Sequence, residues 1–145
     1  QKLRFEKQGI QTNLLLSTEA CFSMVDRDAL EQVLLNLVDN AIKYGCCGNK
    51  KQIGVSLTTE GIYHSIRVYD GGPGISGAHR EKIFEKFYRM DQSLTAATQG
   101  SGIGLSIARL LTHGLGGRLV YEERDDKGAC FHIELPALAG KGEKK

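Results

Sequence analysis

The chain has 145 residues, 19 Lys and Arg against 17 Asp and Glu, a formal net charge of +2 and 41% apolar residues. That balance excludes a disordered chain and suits one globular domain with a single core. No apolar run approaches the ~18–20 residues of a membrane span and no charged-then-apolar start reads as a signal peptide. A charge this close to zero also argues against nucleic-acid binding by charge alone. The unusual figure is 18 Gly, too many for a plain helical or sheet domain, so their positions bear on function. Cys21, Cys46, Cys47 and Cys130 lack metal-ligand spacing, and adjacent Cys46 and Cys47 are poorly placed to bridge, so reduced thiols of a cytoplasmic domain are expected. His64, His79, His113 and His132 are scattered, which predicts no metal site.

A polar lead-in, Gln1–Gln8, reads as the end of a linker, and Ile10–Leu16 as a first strand. Leu30, Val33, Leu34, Leu37, Val38, Ala41 and Ile42 then follow helical spacing, predicting a helix from about Arg27 to Tyr44. Asp26 is its predicted cap, and Gly45 is expected to end it in the left-handed conformation. After a loop at Gly45–Lys51, Ile53, Val55 and Leu57 alternate, Glu60-Gly61 offers a turn, and His64, Ile66 and Val68 alternate again, which predicts a hairpin. Glu81–Phe87 reads as a short helix and Asp91–Gln99 as a flexible loop. A second amphipathic helix opens at Gly100–Leu105, with Leu105, Ala108, Leu111 and Leu115 on its apolar side. Strands at Arg118–Glu123 and Ala129–Leu135 flank a turn at Asp125–Gly128, and the tail 139–145 is expected to be disordered. Hairpins among the strands imply an α+β fold: a two-layer sandwich of a mixed, mostly antiparallel sheet on about three helices, one domain over 1–145.

Four stretches carry candidate chemistry. Asn36, Asn40 and Lys43 line one stripe of the first helix, at the margin of its apolar face. Asn is a mediocre helix former, so the stripe is either a solvated flank or an oxygen ligand for a hard cation beside a phosphate-binding lysine. Asp70-Gly71-Gly72-Pro73-Gly74-Ile75 ends a strand, and its Asp either starts a tight turn or accepts a hydrogen bond from an exocyclic amine. Phe84-x-x-Phe87-Tyr88-Arg89 puts two aromatics on one helical face, as an anchor or as core, with Arg89 able to reach a phosphate. Gly100-Ser101-Gly102-Ile103-Gly104-Leu105 leads into a helix, whose first N–H groups suit an anion. The G-x-G-x-x-G and G-x-x-x-x-G-K-[ST] spacings are both absent, which rejects the Rossmann and P-loop readings.

Taken in order, these stretches resemble the N, G1, F and G2 boxes of the ATP-binding catalytic domain of sensor histidine kinases, and the resemblance covers nearly the whole chain. It implies a Bergerat-type sandwich holding Mg-ATP beneath a lid at about 76–99. Carried over residue by residue, Asn40 holds Mg²⁺, Asn36 lies near the phosphates and metal, Lys43 and Arg89 balance phosphate charge, and Tyr44 packs near the adenine or ribose. Asp70 accepts from the adenine amine, while Gly72, Gly74 and Ile75 shape the base pocket. Tyr88 flanks the site, and the loop of Ser101, Gly102, Ile103, Gly104 and Leu105 meets the phosphates. Asn36, Lys43 and Arg89 are the catalytic candidates, acting by positioning and charge neutralisation.

Two positions depart from the family pattern: Gly71, usually Asn, and Ala129, often Ser or Thr near the base. Related ATPases and anti-sigma serine kinases tend to have Glu four residues before the magnesium Asn; here it is Asn36, whose amide cannot act as general base. A nucleotide-deficient scaffold is the remaining alternative. The chain has no H-[DE]-x-x-x-P phosphoacceptor motif, so the resemblance implies a substrate histidine on a dimerisation hairpin elsewhere in the parent protein, with a response regulator receiver domain downstream. The isolated domain is then expected to be a cytoplasmic monomer without direct membrane contact, though the parent could be membrane-anchored, and to bind ATP with little activity of its own.

Overall fold

Strands and helices that are each apolar on one side are stable only when those sides are stacked, which gives two layers. In the computed structural model, the residues described are 7, 9–17, 19, 21–45, 51–88, 102–124 and 128–138. They form β1 (Gln11–Leu15), α1 (Arg27–Asn40), β2 (Gln52–Glu60), β3 (Tyr63–Asp70), α2 (Gly104–Gly114), β4 (Arg118–Glu123) and β5 (Ala129–Pro136). One five-stranded sheet has the order β1-β2-β3-β5-β4. β1 runs parallel to β2, with Gln11 opposite Gln52, and α1 lies in the crossover that a parallel pair requires. The remaining pairs are antiparallel. The expected mixed α+β sandwich is therefore the observed fold, with two α-helices among the described residues.

The core lies between α1 and α2 and one face of the sheet. Val33 and Leu37 of α1 and Ala108 of α2 meet Ile66, Val68, Leu119, Phe131, Ile133 and Leu135, all buried. Leu105, Leu111 and Leu115 pack partly buried against this cluster, as their spacing predicts. Thr112, absent from that prediction, is also fully buried and satisfies its hydroxyl by donating to the Ala108 carbonyl at 2.7 Å. Asp26 caps α1 as predicted, its Oδ1 accepting from the amides of Asp28 and Ala29.

Two expectations are corrected. The first helix continues past Asn40 as a π-helical turn, Ala41–Gly45, and Gly45 is not left-handed. The wider turn instead lays Gly45 against Asp70, so closely that any Cβ there would fall inside the Asp70 carboxyl group. Glu81–Phe87 is not a helix; only a 3-10 turn forms, at Lys82–Phe84. No side chain caps its start, Glu85 is extended, and Phe87 adopts φ +64 to place its N–H on the Gly102 carbonyl at 2.8 Å. Phe84 and Phe87 therefore part company. Phe84 is buried edge-on against Phe131, whereas Phe87 is 69% exposed. The expected loop at Asp91–Gln99, the tail 139–145, most of the lead-in and most of the Gly45–Lys51 loop lie outside the described residues.

Candidate functional site

The C-terminal half of α1 and its π-turn carry Asn36, Asn40, Lys43 and Tyr44. Asn36 is half-buried; its Oδ1 accepts from Gln32 Nε2 at 3.2 Å, while its buried Nδ2 has no partner among the described residues. A buried donor without an acceptor costs about 1–3 kcal/mol, and an oxygen acceptor, a phosphate oxygen among them, would satisfy it. Asn40 is half-buried one turn on, and Lys43 is exposed.

Asp70 closes β3 and is only 3% exposed. A carboxylate is expensive to bury unless it is hydrogen-bonded. Its Oδ1 accepts from the amide of Gly72 at 2.9 Å and from the amide of Ala129 at 3.3 Å. The buried Ala129 thus supports the carboxylate through its backbone. Gly72 in turn packs on Gly45, where an added Cβ would meet the Gly45 Cα at 2.7 Å. The end of the first helix, the end of β3 and the glycine turn are therefore one contact unit, feasible only because Gly45 and Gly72 lack side chains. Gly74 has φ +75, and Ile75 leaves the turn with its side chain on the core and its N–H donated to the Tyr121 hydroxyl at 3.1 Å.

At the second glycine loop, Gly102 has φ +73 and an added Cβ would meet the Phe87 Cα at 2.8 Å. Ile103 precedes α2, and among the described residues no side chain caps this helix or places an acid in its first turn, in contrast to α1. Among the described residues a Cβ at Gly104 would meet nothing within 4 Å, while Leu105 faces the core. An uncapped helix start offers N–H groups and a positive dipole end to an anion. Tyr88 packs on the core and its hydroxyl meets His79 Nδ1. Arg89 and Ser101, both named from the sequence, lie outside the described residues.

The opposite face of the sheet is polar. Arg67 pairs with Glu60 at 2.8 Å and with Glu122 at 3.2 Å. The hydrogen bond to Arg67 holds the Glu60 carboxyl below the usual range, and the one to Glu60 raises Arg67. Buried His132 sits between Glu122 Oε2 at 3.1 Å and Ser65 Oγ at 3.0 Å, and burial together with Arg67 pushes its pKa down. The neutral ring then donates from Nδ1 to Glu122 and accepts from Ser65 at Nε2. Burial, with Glu122 adding to it, pushes the Cys130 thiol up to about 11, which keeps it protonated and inert at neutral pH.

Sequence reasoning missed three contributors. Gly45 was expected only as a helix end. Tyr121 and Arg124, whose Nη1 donates to the Asp70 carbonyl at 3.1 Å, belong to no motif, and only the fold brings them to the glycine turn.

Comparison with known proteins agrees with this fold. Residues 25–139 match the family described as histidine kinase-, DNA gyrase B-, and HSP90-like ATPase. The sensor histidine kinase YcbM of Bacillus subtilis (strain 168) is 33% identical over 133 residues, covering 92% of this chain, and the chain spans 42% of that relative's length. The catalytic domain of histidine kinase ThkA superposes with a TM-score of 0.78 at 29% identity, covering 93% of this chain and 85% of that one. Full-length ShkA, solved in complex with AMPPNP, superposes with a TM-score of 0.79 at 27% identity, covering 95% of this chain and 28% of that one. The chain therefore belongs to the histidine kinase-, DNA gyrase B- and HSP90-like ATPase family, and its relatives there are the catalytic, ATP-binding domains of sensor histidine kinases.

Proposed function

We propose that the chain binds Mg-ATP among the end of α1, the end of β3 and the start of α2, and transfers the γ-phosphoryl group to a histidine on a dimerisation hairpin of the same parent protein, which passes it to a response regulator receiver domain. The observation that carries this reading is Asp70, a buried carboxylate fixed by two backbone amides and seated against two glycines. Such a group is an acceptor of fixed direction, suited to the adenine amine. Gly72, Gly74 and Ile75 then shape the base pocket, and Tyr44 packs beside the base or ribose.

Phosphate oxygens suit the start of α2, with Gly102, Ile103, Gly104 and Leu105 supplying backbone amides, and suit Asn36 Nδ2, which has no partner among the described residues. Lys43 balances their charge; Arg89 and Ser101 are assigned alongside it by their place in the motifs. A magnesium ion, when bound, neutralises phosphate oxygens, and the Asn40 amide oxygen is the ligand of the type it prefers. The chain's own contribution is orientation and charge balance, the main demands of phosphoryl transfer. Asn36 cannot take a proton from water, which favours a histidine acceptor over hydrolysis. Phe87 is tied by its N–H to Gly102, and Ile107 and Leu110 stand exposed on the outer side of α2 (38% and 72%). These apolar side chains beside the phosphate end suit the docking of an apolar helical hairpin.

The test is phosphorylation in trans. With radiolabelled ATP the domain alone is expected to stay almost unlabelled, while a separately produced hairpin of the parent becomes labelled on histidine when the domain is added. Efficient self-labelling of the isolated domain contradicts this reading.

A further inference from the structure

The peptide that joins Asp70 to Gly71 is held at both ends. The Gly71 N–H donates to the Gln52 carbonyl at 3.1 Å, and the Asp70 carbonyl accepts from Arg124 Nη1 at 3.1 Å. Gly71 has no side chain to steady the turn, so these two bonds orient the plane from which the Asp70 carboxyl projects. Arg124 is itself seated: its guanidinium lies over the Tyr69 ring, 4.3 Å from the centroid. Tyr69 pairs in register with Gly54 near the start of β2, and any Cβ at Gly54 would fall inside the Tyr69 ring. Glycine inside a strand weakens it and marks a close approach by another group, here that ring. Gly54, Tyr69 and Arg124 thus form a stack behind the sheet that ends on the backbone of Asp70.

We propose that Arg124 is a positioning residue for base recognition, fixing through the main chain the direction of the Asp70 carboxylate and so the selectivity for a 6-amino purine. This rests on the reading of Asp70 as the adenine acceptor. The experiment measures calorimetric affinities of the 145-residue chain for ATP and for purine riboside triphosphate, which lacks the 6-amine. The wild type is expected to prefer ATP, and Asp70→Asn to lose the preference. Arg124→Ala is expected to weaken ATP by about threefold to tenfold, the scale of one hydrogen bond, and the analogue by less than about twofold. Arg124→Lys, without a planar group to stack, should fall between. Tyr69→Leu, which keeps the arginine but removes its platform, should reproduce the loss if Arg124→Ala does not fold. Equal weakening of both nucleotides, or unchanged selectivity in Arg124→Ala and Tyr69→Leu while Asp70→Asn loses it, overturns this proposal alone. A wild type that does not discriminate, or an Asp70→Asn variant that still does, overturns the reading of Asp70 and this proposal with it.

Discussion

Asp70 stays buried because backbone amides satisfy its carboxylate. Two amides reach one oxygen, and two glycines let the end of the first helix and the glycine turn close over the group. Replacing Gly45 by Ala puts a methyl group inside the carboxyl, and the group that must yield is the Asp70 side chain itself. Gly45→Ala is expected to destabilise the chain by about 1–3 kcal/mol, the usual cost of overpacking. Displacing the acceptor should also weaken ATP binding about tenfold, which corresponds to about 1.4 kcal/mol. Thermal melting and calorimetry check both, and a Gly45→Ala variant with wild-type affinity would show that the close approach does not position Asp70. Sequence placed single residues on their elements: Asn36 and Asn40 on the first helix, Lys43 in the turn that follows it and Asp70 at the end of β3. What sequence did not reveal was the reason for Gly45, because a close approach depends on a partner some 25 positions away (Gly45 to Asp70).

At the scale of elements, α1, α2 and the four later strands were legible because their apolar periodicity runs over many residues. The segment after the glycine turn was not. Glu81–Phe87 has helical spacing, but too few residues to nucleate a helix without a cap, and tertiary partners took it apart: Phe84 to Phe131, Phe87 to Gly102. Nor could the pattern show that β3, β5 and β4 share a charged outer face, since cross-strand neighbours follow from strand order. That face predicts a pH effect. Facing His132 are Arg67 and Ser65 from β3, Glu122 from β4 and Glu134 from its own strand, with Glu60 of β2 beyond Arg67. The folded-state pKa of His132 lies below the unfolded value of ~6.5. The unfolded chain therefore binds more protons in that window, so stability is full above about pH 6.5 and falls as pH drops below it. His132→Gln should flatten the melting-temperature profile between about pH 5.5 and 7 relative to wild type. Parallel profiles for the two proteins would contradict this. The lowered pKa of Glu60 acts separately, at pH values below its unfolded pKa, outside this window.

At the scale of the molecule, the chain spans 42% of the YcbM length, and its sequence has no H-[DE]-x-x-x-P motif. Among the described residues no helix is long and apolar enough to cross a membrane. The end of the first helix packs on the glycine turn after β3, and Arg124 beyond β4 ties to the Asp70 carbonyl. Every functional role proposed for these residues depends on Mg-ATP binding at this junction. The most direct test is calorimetric titration of the chain with ATP, with and without Mg²⁺, beside Asn40→Ala. Saturable binding that Mg²⁺ tightens in the wild type, with the magnesium enhancement lost in Asn40→Ala, is the predicted result. A wild type that binds no ATP under either condition would contradict it and leave a scaffold domain, with Gly71 and Ala129 the first positions to examine.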